Sequence, residues 1–285
     1  MVMLRDLALL FMKFGMLPYG AIARERRPGV IILGYHRVGG GSAAQLDLPS
    51  ALFEWQMEYL KRNHVVVSLD DVVQIARGTA SYPHDVVVIT FDDGYEDVYR
   101  HAFPVLAKYN LPATIYLTSS YVETGRAFPP EAPSNGLGRG RPLTWRQARE
   151  MQGSGLVTFG AHTHTHPNLA ALAAAQVNWE IATANQLIAE RLGCAPVHFA
   201  YPWGRTSDAV KAVVTRAYRT SVLGGTRKNL YGRIDLNALL RVPIQRSDGR
   251  LFFRLKLESY LMGEELVRAR IGSRPASRRV PEASR

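Results

Sequence analysis

From Val30 onward, apolar and polar residues fall into short alternating blocks. Val30 to Tyr35 reads as a strand ending at His36, and Phe53, Met57 and Leu60 share one face of a helix. Val65 to Ser68 reads as a further strand, and Asp70 is placed to cap a helix over Asp71 to Arg77. The clearest strand is Val86 to Thr90, five β-prone residues that run into Asp92, Asp93 and Gly94. Val98, Ala102, Val105 and Tyr109 then recur at helical spacing, and Ala113 to Leu117 forms the next strand. Val122 to Leu143, with four Gly and four Pro, is a loop long enough to serve as a lid or an insertion. Thr144 and Gln147 carry the spacing of a capping box. Beyond them lie a strand at Val157 to Gly160 and a helix from about Ala170 to Leu192, striped by Val177, Ile181, Ile188 and Leu192 and stopped by Gly193. Strands at His198 to Tyr201, Ser221 to Leu223 and Leu240 to Ile244, with helices at Asp208 to Ala217 and Phe252 to Met262, complete the pattern.

About seven strands separated mostly by helices predict a parallel α/β fold, a barrel in preference to an open sheet. The 285 residues and 47% hydrophobic content suit one domain with a full core. In such folds chemistry collects at the carboxyl ends of strands, where His36, Asp92, Asp93, His162 and Trp203 all fall.

Charge changes this picture mainly at the ends. Of the net +11, residues 1–29 contribute +3 and residues 268–285 contribute +5, from six Arg against Glu282. The chain therefore divides into a basic, apolar segment at 1–29, a body at 30–267 and an Arg-rich tail at 268–285. The body shows no basic face with interleaved aromatics, which argues against a nucleic-acid partner. Basic ends fit an anionic membrane surface, an anionic glycan or a solubilising tail. Leu4, Leu7, Ala8, Phe11 and Phe14 sit at helical spacing, but Arg5, Asp6 and Lys13 interrupt every run long enough to span a bilayer. That leaves an interfacial helix or a helix packed outside the domain. With no evident secretory signal and one cysteine, Cys194, the expected location is the cytoplasm, with peripheral contact at the inner membrane surface as an extension.

Adjacent carboxylates at Asp92 and Asp93 fit either a cation site or an ordinary Asp-Gly turn. His162 and His166 bear on that choice. In an extended strand they would lie ~13 Å apart, too far for one ion, so the chain must coil between them. A single helical turn would face both the same way, leave His164 pointing elsewhere and end at Pro167. One carboxylate with two imidazoles suits zinc or a neighbouring first-row divalent ion.

TFDDG at Thr90 to Gly94, followed by HTHTH at His162 to His166, resembles the polysaccharide deacetylases, the NodB-homology group of carbohydrate esterase family four. The resemblance runs from about Val30 to Ile244. It implies a distorted (β/α)7-like barrel and metal-dependent hydrolysis of N-acetyl groups on a sugar, a polysaccharide or a lipid-linked saccharide. It makes Asp92 the catalytic base and Asp93, His162 and His166 the metal ligands. FAYPWG at Phe199 to Gly204 is similar to a third motif, whose backbone N–H at Trp203 faces the oxyanion. Two departures stand out. The Arg that many members carry near this motif is Ala200 here, and Arg241 is the candidate to orient Asp92 in its place. The late histidine that many members use as general acid is also missing, since none follows His198. His36 is the preferred substitute, with His164 or metal-bound water as alternatives. Trp203, Tyr201 and Trp145 are candidates to stack on a sugar. The competing readings are an O-acetyl esterase, a cyclic-amide hydrolase and a non-catalytic glycan-binding protein on the same fold.

Overall fold

A computed structural model describes residues 2–128 and 140–260. Seven parallel strands close into a barrel: β1 (Gly29–Tyr35), β2 (Val86–Phe91), β3 (Ala113–Leu117), β4 (Val157–Ala161), β5 (His198–Ala200), β6 (Thr220–Gly224) and β7 (Leu239–Pro243). Closure comes from β1, which pairs in parallel with both β2 and β7. Short strands at Val65–Val66 and Asn229–Leu230 add to the sheet where β2 and β1 begin.

Nine α-helices occur among the described residues: α1 (Val2–Ala23), α2 (Ser50–Asn63), α3 (Leu69–Ala76), α4 (Phe103–Tyr109), α5 (Ser119–Thr124), α6 (Trp145–Gly153), α7 (Ala174–Leu192), α8 (Asp208–Ala217) and α9 (Gly249–Leu257). The strands are buried on both faces, and their period of two sorts side chains into two cores. Ile31, Leu33, Tyr35, Val87, Ile89 and Phe91 face outward into a core shared with the surrounding helices. Val30, Ile32, Val86, Val88, Tyr116, Val222 and Leu239 fill the barrel, closed by Leu69, Val72 and Ile75 of α3. Full burial of each such aliphatic side chain stabilises the fold by about 1.5 to 3 kcal/mol.

The same period decides where the chemistry sits. Continuing β2 by twos from Val86 and Val88 reaches Thr90 and then Asp92, and continuing β7 from Leu239 reaches Arg241. Asp92 and Arg241 therefore point into the barrel just above its apolar filling. A slip of one residue in either strand would send its charge outward into the helical layer.

Several sequence expectations need correction. Ser68, not Asp70, caps α3, and Asp71 completes its capping box, so the helix starts two residues earlier than expected. Val122 to Thr124 belong to α5 rather than to the loop, whose residues 129–139 lie outside the described ones. The long helix starts at Ala174, after a 3-10 turn at Leu169–Ala171. The last helix begins at Gly249 and ends at Leu257, and Met262 lies outside the described residues. The capping box at Thr144 and Gln147 is present.

α1 lies beside α9 on the outside of the barrel. Lys13 pairs with Asp248, Phe14 meets Phe252 edge-on at 5.0 Å, and Gly20 abuts the Tyr260 carbonyl. No helix among the described residues is long and apolar enough to cross a membrane.

Candidate metal centre and catalytic cleft

The turn after β2 positions both aspartates. Asp92 continues the ladder, its N–H donating to the Tyr35 carbonyl at 3.0 Å. Asp93 and Gly94 then adopt φ of 71° and 86°, which reverses the chain and turns the Asp93 side chain away from that of Asp92. Gly94 cannot be replaced without movement, because a Cβ there would lie 2.7 Å from a Leu117 methyl.

Asp92 is nearly fully buried and held by a bidentate ion pair. Arg241 Nη1 and Nη2 donate to its two carboxylate oxygens at 2.5 and 2.6 Å. Burial alone would raise the Asp92 pKa, but Arg241, followed by His162 and His36, holds the carboxyl well below its usual range. The guanidinium also donates to Thr90 Oγ1 at 3.3 Å and sits over the Tyr116 ring. The structure thus places Arg241 where it fixes the orientation of Asp92, although the two are 149 positions apart in the chain.

The segment from His162 to His166 is not a helical turn. Thr163 and His166 have φ of 65° and 66°, and the His166 N–H donates to Thr163 Oγ1 at 3.0 Å. Two left-handed residues, rather than a helix, fold the loop back and set the two imidazoles 4.8 Å apart. Asp93, His162 and His166 bring one ligand atom each within 4.8 Å of one another. His162 Nδ1 lies 2.7 Å from the Ala200 carbonyl oxygen, which can only accept, so the proton is on Nδ1 and the lone pair on Nε2. Burial pushes the His162 pKa down to about 3, with Asp92 opposing, so the ring is a neutral donor ligand at ordinary pH. Its Nε2 faces Asp93 Oδ1 at 3.6 Å, and His166 Nε2 faces the same oxygen at 3.3 Å. One carboxylate and two imidazoles with ligand atoms this close together fit a divalent first-row cation with further positions left for water or substrate.

A residue that sequence reasoning passed over secures this loop. Glu180 of α7 is buried, and its carboxylate accepts from the backbone N–H groups of His164 and Thr165 at 2.8 Å each and from Thr165 Oγ1 at 2.5 Å. The available signal was its spacing: Glu180 lies three residues after Val177 and four before Ala184, on the buried stripe of α7. A carboxylate on an apolar stripe implies a polar partner opposite it.

Other candidates separate clearly. Trp203 is 47% exposed, with φ of 63°, and its ring lies 5.2 Å from that of His166, at the rim of the ligand cluster. His36 Nε2 is 3.9 Å from Asp92 Oδ2, and its buried Nδ1 has no hydrogen-bond partner among the described residues. His164 bonds Ser119 through Nδ1 and packs on Trp179, away from the other two histidines. Tyr201 is a correction: it is fully buried, packed edge-on to Phe199 with its hydroxyl near Ser221, and presents no face to a sugar. Trp145 is partly buried, and its indole N–H donates to Glu123 at 2.7 Å. The described ends of the long loop close beside this turn, where Phe128 N–H meets the Gly140 carbonyl and the Phe128 ring lies 4.3 Å from Tyr95.

Comparison with known proteins places this barrel in a family. The polysaccharide deacetylase family model matches residues 79–221, half of the sequence, and the chain belongs to that family. It is 29% identical over 203 residues to YxkH of Bacillus subtilis (strain 168), covering 70% of this chain and 66% of that protein. It is 30% identical over 138 residues to the poly-β-1,6-N-acetyl-D-glucosamine N-deacetylase of Escherichia coli (strain K12), covering 47% of this chain and 20% of that enzyme. The chain thus spans less than two thirds of either relative. Among solved structures, the Streptococcus pyogenes deacetylase PplD in complex with acetate superposes with a TM-score of 0.69 at 24% identity, over 82% of this chain and 99% of that one, and shows the shared fold.

Proposed function

We propose that this chain hydrolyses the N-acetyl groups of an N-acetylated glycan, using a divalent cation held by Asp93, His162 and His166. The observation that carries the reading is the pairing of two neighbouring carboxylates with opposite surroundings. Asp92 is held ionised by Arg241, and Asp93 Oδ1 faces the Nε2 atoms of His162 and His166. The donor set suits zinc best, and a bound cation would polarise the acetyl carbonyl and lower the pKa of water toward ~7.

The chain's own groups supply the remaining chemistry. Asp92, with both oxygens oriented by Arg241, takes a proton from water as its oxygen adds to the acetyl carbon. The backbone N–H of Trp203 donates to the developing oxyanion; a donor of this kind is worth about 10²- to 10³-fold in rate. His36 gives a proton to the nitrogen as the C–N bond breaks, leaving acetate and a primary amine. The proton on Asp92 then passes to His36, whose Nε2 lies 3.9 Å from Asp92 Oδ2, and resets the site. Trp203, as the exposed ring at the rim, is the surface for the sugar.

Relatives named as poly-β-1,6-N-acetyl-D-glucosamine N-deacetylases make β-1,6-linked N-acetylglucosamine oligomers the first substrate to try. Acetate and primary amine would be measured together with zinc-loaded and chelated protein, beside an O-acetylated glycan and a lipid-linked N-acetyl sugar. Equimolar acetate and amine that vanish on chelation are the expected result. Acetate without amine would assign an esterase, and no product from cation-loaded protein would point to a glycan-binding role.

A further inference from the structure

The polarity of α1 is reversed for a helix on a protein surface. Between Leu7 and Ala23 the only charged side chain is Lys13, and it is buried, donating to Asp248 at 2.6 Å and to Ser247 at 2.9 Å. Gly20 lies on the same inward side, pressed against the Tyr260 carbonyl where no Cβ would fit. The outward side carries Phe11 at 75% exposure, Phe14 at 50%, Tyr19 at 53% and Ile22 at 89%. Gly15, Pro18 and Ala21 are exposed between them, so no charge interrupts this face. Phe11, Gly15, Pro18 and Ile22 follow one another at four, three and four residues, a single line along the helix. Large apolar side chains gathered on one uncharged face mark a contact surface rather than ordinary scatter.

Charge indicates what it contacts. α1 is followed by Arg24, Arg26 and Arg27, of which Arg27 pairs with Glu25 and Arg24 with Glu258, so the segment stays net positive. Arg24 donates to the Tyr260 hydroxyl at 3.0 Å, which brings the last described residue beside the end of α1. A second copy of the chain would set the same net positive segment at 24–27 against itself, and like charges oppose that contact.

We infer that α1 lies in the interfacial layer of an anionic lipid membrane, with Phe11 and Ile22 inserted among the acyl chains and the basic segment after Ala23 against the headgroups. Lys13 is the tether that keeps the helix on the barrel while its outer face is in lipid.

The test is co-sedimentation of the full chain with vesicles of phosphatidylcholine alone and of an equimolar mixture with phosphatidylglycerol. Binding to the mixed vesicles, at least about tenfold stronger than to the neutral ones, is expected. A double variant, Phe11→Asp with Ile22→Asp, is expected to lose at least about tenfold in partitioning, with thermal unfolding and solution activity unchanged. Absence of binding to either vesicle, or equal binding by the variant, overturns the inference. So does sedimentation velocity showing a dimer that the variant splits and that ignores vesicles, because the face is then a contact between copies.

Discussion

Two carboxylates lie deep in this protein, each flanked by cations, and they serve opposite ends. Asp248, with no side-chain exposure, takes Lys13 on one oxygen and Lys256 on the other, the second oxygen also accepting the Gln245 N–H. Its partners come from α1, α9 and the turn between them, so the ion cluster works as a clasp. Asp92 gives both oxygens to one guanidinium and borders a cluster of three metal-ligand donors, Asp93, His162 and His166. In both, burial alone would raise the pKa and the cations lower it. What separates a structural anion from a reactive one here is what lies next to it. Around Asp248 every direction is filled by protein, whereas Asp92 opens toward His36, Asp93 and the rim at Trp203.

The largest effects would come from exchanging the two losses. Asp92→Asn is expected to keep the cation and lower turnover by about 10²- to 10⁴-fold, measured as acetate release at matched metal content. Asp248→Asn is expected to leave turnover near normal and cost about 3 to 5 kcal/mol, because two buried ammonium groups lose their counter-charge. Thermal unfolding would show a drop on the order of 10 °C. If each variant failed in the other's assay, the contrast would be lost. Smaller is the expected effect of Glu180→Gln, which weakens the clamp on the His162–His166 loop. Zinc affinity, titrated by calorimetry, should fall about 10- to 100-fold, with Glu180→Asp recovering part of it; unchanged affinity in both would remove Glu180 from the metal centre. The smallest effect is the pH dependence of the clasp. Because the folded-state pKa of Asp248 is lowered, its contribution is complete above the unfolded value of about 3.9 and fades as pH falls below it. The gap in unfolding temperature between the parent and Asp248→Asn should therefore close in acid and stay constant from neutral pH to about pH 5.

What the sequence disclosed, and what it withheld, follows from how far each signal reaches along the chain. Val86 to Asp92 alternates by twos, so both strand and inward-facing carboxylate could be read locally. Thr144 with Gln147 announces a helix start within four residues. Arg241 could be nominated from an absence, Ala200 standing where the family resemblance implies an Arg, yet only barrel closure brings its guanidinium to Asp92. The His162–His166 loop was misread as helical because its left-handed pivots are Thr163 and His166, residue types that give no such sign. Tyr201 lies within the FAYPWG motif but belongs to the core, since alternation along β5 and its extension turns it away from the barrel interior that Ala200 faces. Glu180 had a local sign, its place on the apolar stripe of α7, but the three donors it holds lie 15 and 16 positions away, on a loop the sequence does not bring beside it.

Of the six non-glycine residues with positive φ among the described ones, Asp93, Thr163, His166 and Trp203 belong to the metal cluster and its rim. Each such conformation costs on the order of 1 to 3 kcal/mol, and none can be relaxed without moving a ligand or the rim tryptophan. Selection for heat resistance alone would therefore favour glycine or asparagine at these four positions. Each gain in endurance there would be a step toward an inert barrel. A search for hardier variants of this protein should look to the outer helices and leave the mouth alone.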